Sequence, residues 1–104
     1  MRTIEFSNNF KKSMKTVRSY DNYKQKELDD ALNKLANGEP LPERMRDHAM
    51  VKQSRPELQG TRVFHLRPDL AVVYKISDNK LEVLNIGKHN QLRLTSSYDI
   101  HKKS

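Results

Sequence analysis

The sequence predicts one α+β domain of order β-α-α-β-β-β, an antiparallel strand meander with an N-terminal helical hairpin packed on it. Three observations carry this prediction. Two segments of helical periodicity precede Gly38, three segments of strand periodicity follow Gly60, and tight-turn residues separate those strands. At 104 residues the chain suffices for one modest core.

Thr3-Ile4-Glu5-Phe6 alternates polar and apolar residues and reads as a short first strand. Ser7 or Asn8 then offers a helix N-cap, and Phe10, Met14 and Val17 follow at helical spacing. The same helix carries Lys11, Lys12, Lys15 and Arg18 with no acid between Ser7 and Tyr20, either a solvated face or a phosphate-facing one. Asp21-Asn22 breaks the helix. A second runs from near Tyr23 to about Ala36 on the stripe Leu28, Ala31, Leu32, Leu35, and Asn37-Gly38 with Pro40 ends it. Residues 41–60 read as an irregular basic loop containing Asp47-His48.

The strands resume at Thr61–Leu66, turn at Arg67-Pro68-Asp69, and continue from Leu70 to about Ile76. In Leu70–Ile76 both alternating sets are largely apolar, as expected for a strand covered on both faces. A second turn at Ser77-Asp78-Asn79-Lys80 leads into Leu81–Lys88. Residues 1–92 are expected to form the domain and residues 93–104 a polar tail.

Only 35% of the residues are hydrophobic and 32% are charged, so the core is thin. A net charge of +7 favours polyanionic partners, nucleic acid foremost. The chain has no cysteine, which excludes disulfides, thiol catalysis and Cys-based zinc sites. No apolar h-region follows Met1 and no window has the length of a membrane span, so a soluble, cytoplasmic protein with no membrane partner is expected. No helix-turn-helix is evident, and the two helices are better read as a cover for the core.

His65, Arg67 and Asp69 gather a titratable base, a permanent cation and a carboxylate at one corner of the sheet. Strict alternation in the last strand puts Asn85, Gly87 and His89 on one face, with room for a ligand at Gly87. Metal binding by His48, His65, His89 and Asp69 lacks a tight ligand motif, and each histidine alone could serve a local hydrogen bond. The third chemistry is metal-independent RNA cleavage. A base deprotonates a 2′-hydroxyl, which attacks the adjacent phosphate, a cation stabilises the phosphorane, and an acid protonates the 5′-oxygen.

The elements Arg46-Asp47-His48, Gly60–Leu70, Val73-Tyr74-Lys75-Ile76 and Gly87-Lys88-His89-Asn90-Gln91-Leu92 resemble the YafQ branch of the RelE toxin superfamily, in order and in spacing, from about Thr3 to Leu92. The His-x-x-Pro-Asp turn and the terminal Gly-x-His are the specific parts. The resemblance implies the toxin of a type II toxin–antitoxin pair, cutting translated mRNA in the ribosomal A site without metal or other cofactor. It implies inhibition by a DinJ- or RelB-like antitoxin, with operator DNA bound only through that complex. Carried over by position, His48, His65, Asp69 and His89 are the implied catalytic residues. His89 is then the general acid, Asp69 or His48 the base, and His65 holds the phosphate. Arg46, Arg62, Arg67, Asn85, Lys88 and Arg93 are the candidates for RNA binding or transition-state charge. Asn85 stands where the family usually has Arg, Arg93 lies near the place of an aromatic, and Leu70 is Trp in some members. A weakly cleaving RelE-fold binding module is the alternative.

Overall fold

A computed structural model describes residues 1–21, 23–49 and 60–88. His89, Arg93, the tail and residues 50–59 of the basic loop therefore lie outside the described residues. The elements are β1 (Thr3–Phe6), α1 (Asn8–Val17), α2 (Gln25–Ala36), a 3-10 turn (Glu43–Met45), β2 (His48–Ala49), β3 (Thr61–Arg67), β4 (Leu70–Ser77) and β5 (Lys80–Lys88). They form a five-stranded sheet of order β1-β5-β4-β3-β2 with the two helices packed on it.

The antiparallel meander β3-β4-β5 is present as expected. Two features were not visible in the periodicity. β1 joins β5 in parallel register, Ile4 opposite Leu81, which makes the whole sheet mixed. The supposedly irregular loop contains a two-residue edge strand, β2, pairing His48 with Val63 and Ala49 with Arg62. Two residues carry too little pattern to be read as a strand, and only the neighbouring β3 backbone makes them one.

The helix boundaries follow from local chemistry. Ser7 caps α1: its Oγ accepts from the Phe10 amide at 3.0 Å and donates to the Leu84 carbonyl, so one hydroxyl both starts the helix and ties it to β5. At the other end of α2, Gly38 (φ +77°) donates to Leu35 at 3.1 Å and Glu39 to Lys34 at 2.8 Å, a Schellman closure that needs a left-handed residue. Arg2 Nη1 adds a charged bond to the Leu35 carbonyl at 2.9 Å, a cation at the negative helix end.

Phe10, Met14 and Val17 of α1 and Leu28, Ala31, Leu32, Leu35 and Ala36 of α2 pack on one sheet face, against Phe64, Leu66, Val72, Tyr74, Leu81, Val83 and Ile86. Burial of side chains of this size stabilises by about 1.5–3 kcal/mol each before the ordering entropy is counted. The other face holds a smaller cluster of Val63, Ala71 and Val73 with Leu84 against it. Leu70 to Tyr74 are all buried, which agrees with the expectation of a doubly covered strand.

The strict alternation expected in β5 fails at Leu84. Tyr74 pairs with Val83 and Val73 with Asn85, so Leu84 is a bulge. Core-facing positions accordingly switch from Leu81 and Val83 to Ile86. Asn85 Oδ1 accepts from the Ser13 hydroxyl of α1 at 2.7 Å and from the Ile86 amide at 2.9 Å. The residue expected to face a ligand is instead engaged in holding the bulge against α1. Gly87 is buried opposite Ala71, so the open approach expected there is absent.

Candidate active site

The sheet face away from the helices brings two of the predicted histidines together. His65 is central in β3, opposite Ala71, and is buried. His48 sits on the exposed edge strand β2, opposite Val63, one pleat along from His65. Their rings stack with centroids 6.2 Å apart and planes 18° from parallel. This is the diagonal relation that side chains two residues apart on neighbouring strands can bridge.

His48 has a defined orientation. Its Nδ1 lies 2.5 Å from the carbonyl of Arg46, which only accepts. In the neutral ring the proton therefore resides on Nδ1, and Nε2 is left as the acceptor. Arg46 is set up for this contact by a left-handed conformation, φ 48° and ψ 49°, where the chain leaves the 3-10 turn. Arg46 itself is exposed.

Between those two residues, Asp47 turns the other way. Its Oδ1 accepts from the Tyr74 hydroxyl and from Arg62 Nε at 3.3 Å, while Arg62 Nε also donates to the Tyr74 oxygen at 3.1 Å. Burial, then the hydrogen bond to Asp47, raises the Tyr74 phenol above its ordinary pKa, so it stays protonated and donates. The hydrogen bond to Tyr74 raises the pKa of Arg62, with Asp47 adding to it against the effect of burial. Arg62, predicted as a phosphate-facing cation, is a permanent charge held on Asp47.

Arg67 is likewise drawn aside. A register shift between His65 and Arg67 accompanies an ion pair of its Nη2 with Glu27 of α2 at 3.0 Å, on a half-buried guanidinium. Asp69 is exposed in the β3–β4 turn, at the same end of the sheet as Lys88, which pairs with Leu70. Ser19, Tyr20, Asp21, Asp69 and Lys88 line an open hollow of about 360 Å³ there. The Lys88 ammonium stands 5.1 Å from the centre of the Tyr20 ring. His89 and Arg93, the remaining predicted residues, lie outside the described residues.

A family profile described as bacterial toxin of type II toxin-antitoxin system, YafQ, matches residues 2–94. The chain belongs to the YafQ family of type II toxins. Among solved structures it is similar to a metal-bound toxin from Helicobacter pylori, at 33% identity and TM-score 0.76 over 88% of this chain and 99% of that one. It is similar to the E. coli DinJ-YafQ complex, at 32% identity and TM-score 0.71 over 88% and 98% of the respective chains. A third likeness is to YafQ from E. coli strain BL21(DE3), at 30% identity and TM-score 0.71 over the same two shares. A comparison with curated protein sequences gives no significant match.

Membership of the YafQ family agrees with the fold and with the motifs that suggested it. Among the described residues no group of three or more His, Cys, Asp or Glu side chains could hold a metal ion. No helix among them is long and apolar enough to cross a membrane. The roles of Asp47, Tyr74 and Tyr20 were missed from sequence. A signal existed for Tyr74, since a phenol in an apolar strand run needs a buried partner for its hydroxyl.

Proposed function

We propose that this YafQ-family toxin is a ribosome-dependent endoribonuclease that cuts translated mRNA by attack of a 2′-hydroxyl on the adjacent phosphate. The observation that carries the reading is the His48–His65 pair, with His48 Nδ1 committed to the Arg46 carbonyl. A neutral imidazole with a bare Nε2 is the form a general base requires. His48 takes the 2′-hydroxyl proton, the oxygen attacks phosphorus, and the 5′-oxygen departs with a proton from His89. His65 bonds the phosphate as it gains charge. This assigns the base to His48 rather than to Asp69, which stands instead beside Lys88 at the rim. The reaction transfers protons and a phosphoryl bond only, with no metal in any step.

Cationic help falls to Lys88, Arg46 and Arg93, because Arg62 and Arg67 are paired with acids. Asn85 supplies no charge and is bound to Ser13, the one observation that favours the weaker-cleaving alternative. The basic side of α1, with Lys11, Lys12, Lys15 and Arg18 exposed, supports ribosomal RNA as the surface on which the toxin sits in the cytoplasm. The solved DinJ-YafQ complex supports a cognate antitoxin of the DinJ kind as inhibitor, with operator DNA reached only through that complex.

Induced expression with and without the neighbouring antitoxin frame, with mRNA ends mapped by primer extension, tests the reading. Cuts inside translated codons are expected, suppressed by the antitoxin, absent in His89→Ala, and unchanged in a purified translation system by a zinc-selective chelator that leaves the ribosomal Mg²⁺ in place. Growth arrest without cuts would leave a toxin that binds but does not cleave.

A further inference from the structure

We infer that Tyr74 and Arg62 are positioning residues that act through Asp47 to fix the face on which β2 presents His48. This rests on the reading of His48 as the base. Among the described residues β2 comprises two, exposed and at the sheet edge, joined to β3 through His48↔Val63 and Ala49↔Arg62. A one-residue slip in a strand carries every side chain to the opposite face, and two pairs resist such a slip weakly. Something beyond the ladder has to hold it.

Asp47 does this by alternation. In extended chain its side chain points opposite to that of His48. Oδ1 of Asp47 is bound by the Tyr74 hydroxyl and by Arg62 Nε, and these two donors are cross-strand partners on β4 and β3. The Tyr74 ring is wholly buried, tilted against Phe64 at 5.9 Å, so its oxygen is a fixed point of the core. An acceptor bound to that point commits Asp47 to the helix side of the sheet and thereby His48 to the other. From the preceding residue, the Arg46 carbonyl sets the ring orientation. His48 is thus gripped through both of its N-terminal neighbours. Packing explains the Tyr74 ring, which a phenylalanine would fill equally, but not its hydroxyl.

The test compares wild type, Tyr74→Phe, Asp47→Ala and Asp47→Asn as complete toxins. It measures cleavage on programmed ribosomes at saturation and at half-saturation, and reads the His48 tautomer in each free protein from imidazole ¹⁵N shifts. Tyr74→Phe and Asp47→Ala are expected to lower the maximal rate by about tenfold or more, the order expected when a reacting group is misplaced by under an ångström, with ribosome half-saturation little changed. Their His48 shifts should move from the Nδ1–H form toward a tautomeric average. Asp47→Asn keeps an acceptor for the phenol and should retain most of the rate and the wild-type tautomer. Full activity together with an unchanged His48 spectrum in Tyr74→Phe and Asp47→Ala overturns the inference. So does a loss of rate while the spectrum is unchanged. If wild type itself does not cleave, the nuclease reading fails separately and the tautomer decides alone: a shift in Tyr74→Phe supports the clamp, and no shift rejects it.

Discussion

The two faces of one sheet are built differently. The helix side buries large side chains from α1, α2 and three strands around Phe64 and Tyr74. The far side buries small ones, Val63, Ala71 and Val73, and carries His65 and the exposed His48 beside them. Large interlocking residues make a rigid plate, and small ones leave its reverse flat enough to hold chemistry. The polar network of Asp47, Arg62 and Tyr74 lies on the helix side, and by holding Asp47 there it turns the next residue, His48, to the far side. The stability of the molecule and its proposed chemistry thus sit on opposite sides of the same strands.

This contrast can be broken by substitutions on each side. The largest effect is expected in the helix-side core: Phe64→Ala should cost about 3–5 kcal/mol in denaturant unfolding. Val63→Ala, on the reverse, should cost about 2 kcal/mol for its two methyl groups. Equal losses would mean that both faces are structural to the same degree. Next, His48→Ala should leave stability within about 0.5 kcal/mol, as an exposed residue. It should reduce mRNA cleavage on ribosomes by about 10²-fold or more, the usual contribution of a general base. A stable variant with full cleavage would remove His48 from the chemistry.

Smaller changes test the joints. Gly38→Ala forces a Cβ into φ +77°, and a loss of about 1–2 kcal/mol is expected in thermal unfolding although its surroundings have room. Asn85→Ala removes the acceptor for Ser13 and Ile86, with an expected loss of about 1 kcal/mol. If Asn85→Ala is neutral, the Asn85 side chain does not hold the bulge at Leu84. The smallest effect is on pH dependence. A phenol ionises near 10.0 when unperturbed, and the folded state holds Tyr74 protonated to higher pH. Its contribution to stability is therefore intact below pH 10 and is lost as pH rises beyond that value. Tyr23 shifts in the same direction, chiefly through burial and then Asp29. Tyr74→Phe should flatten the alkaline decline of unfolding free energy, and an unaltered decline would assign it to Tyr23 or other groups.

Much of the molecule was legible in the chain because the information was local. Phe10, Met14 and Val17 share a helix face by their spacing, Ser7 and Gly38 close helix ends through their own chemistry, and Pro68-Asp69 and Asp78-Asn79 make turns wherever they occur between strands. The motifs around His48 and His65 were equally readable, and the YafQ family match agrees with them. The site's finer arrangement was not. Arg62 and Arg67 look identical as free cations in a sequence, yet Asp47 and Glu27, distant in the chain, occupy them.

Periodicity, caps and turn residues are properties of a few consecutive residues, and they set the helices, the meander and the line of candidate histidines. The parallel docking of β1, the bulge at Leu84 and the strand at His48 depend on partners brought alongside by folding: Val83, Ser13 and Val63. So does the charge available to a phosphate, because a cation's Coulomb partner is chosen by distance through space and not by position along the chain.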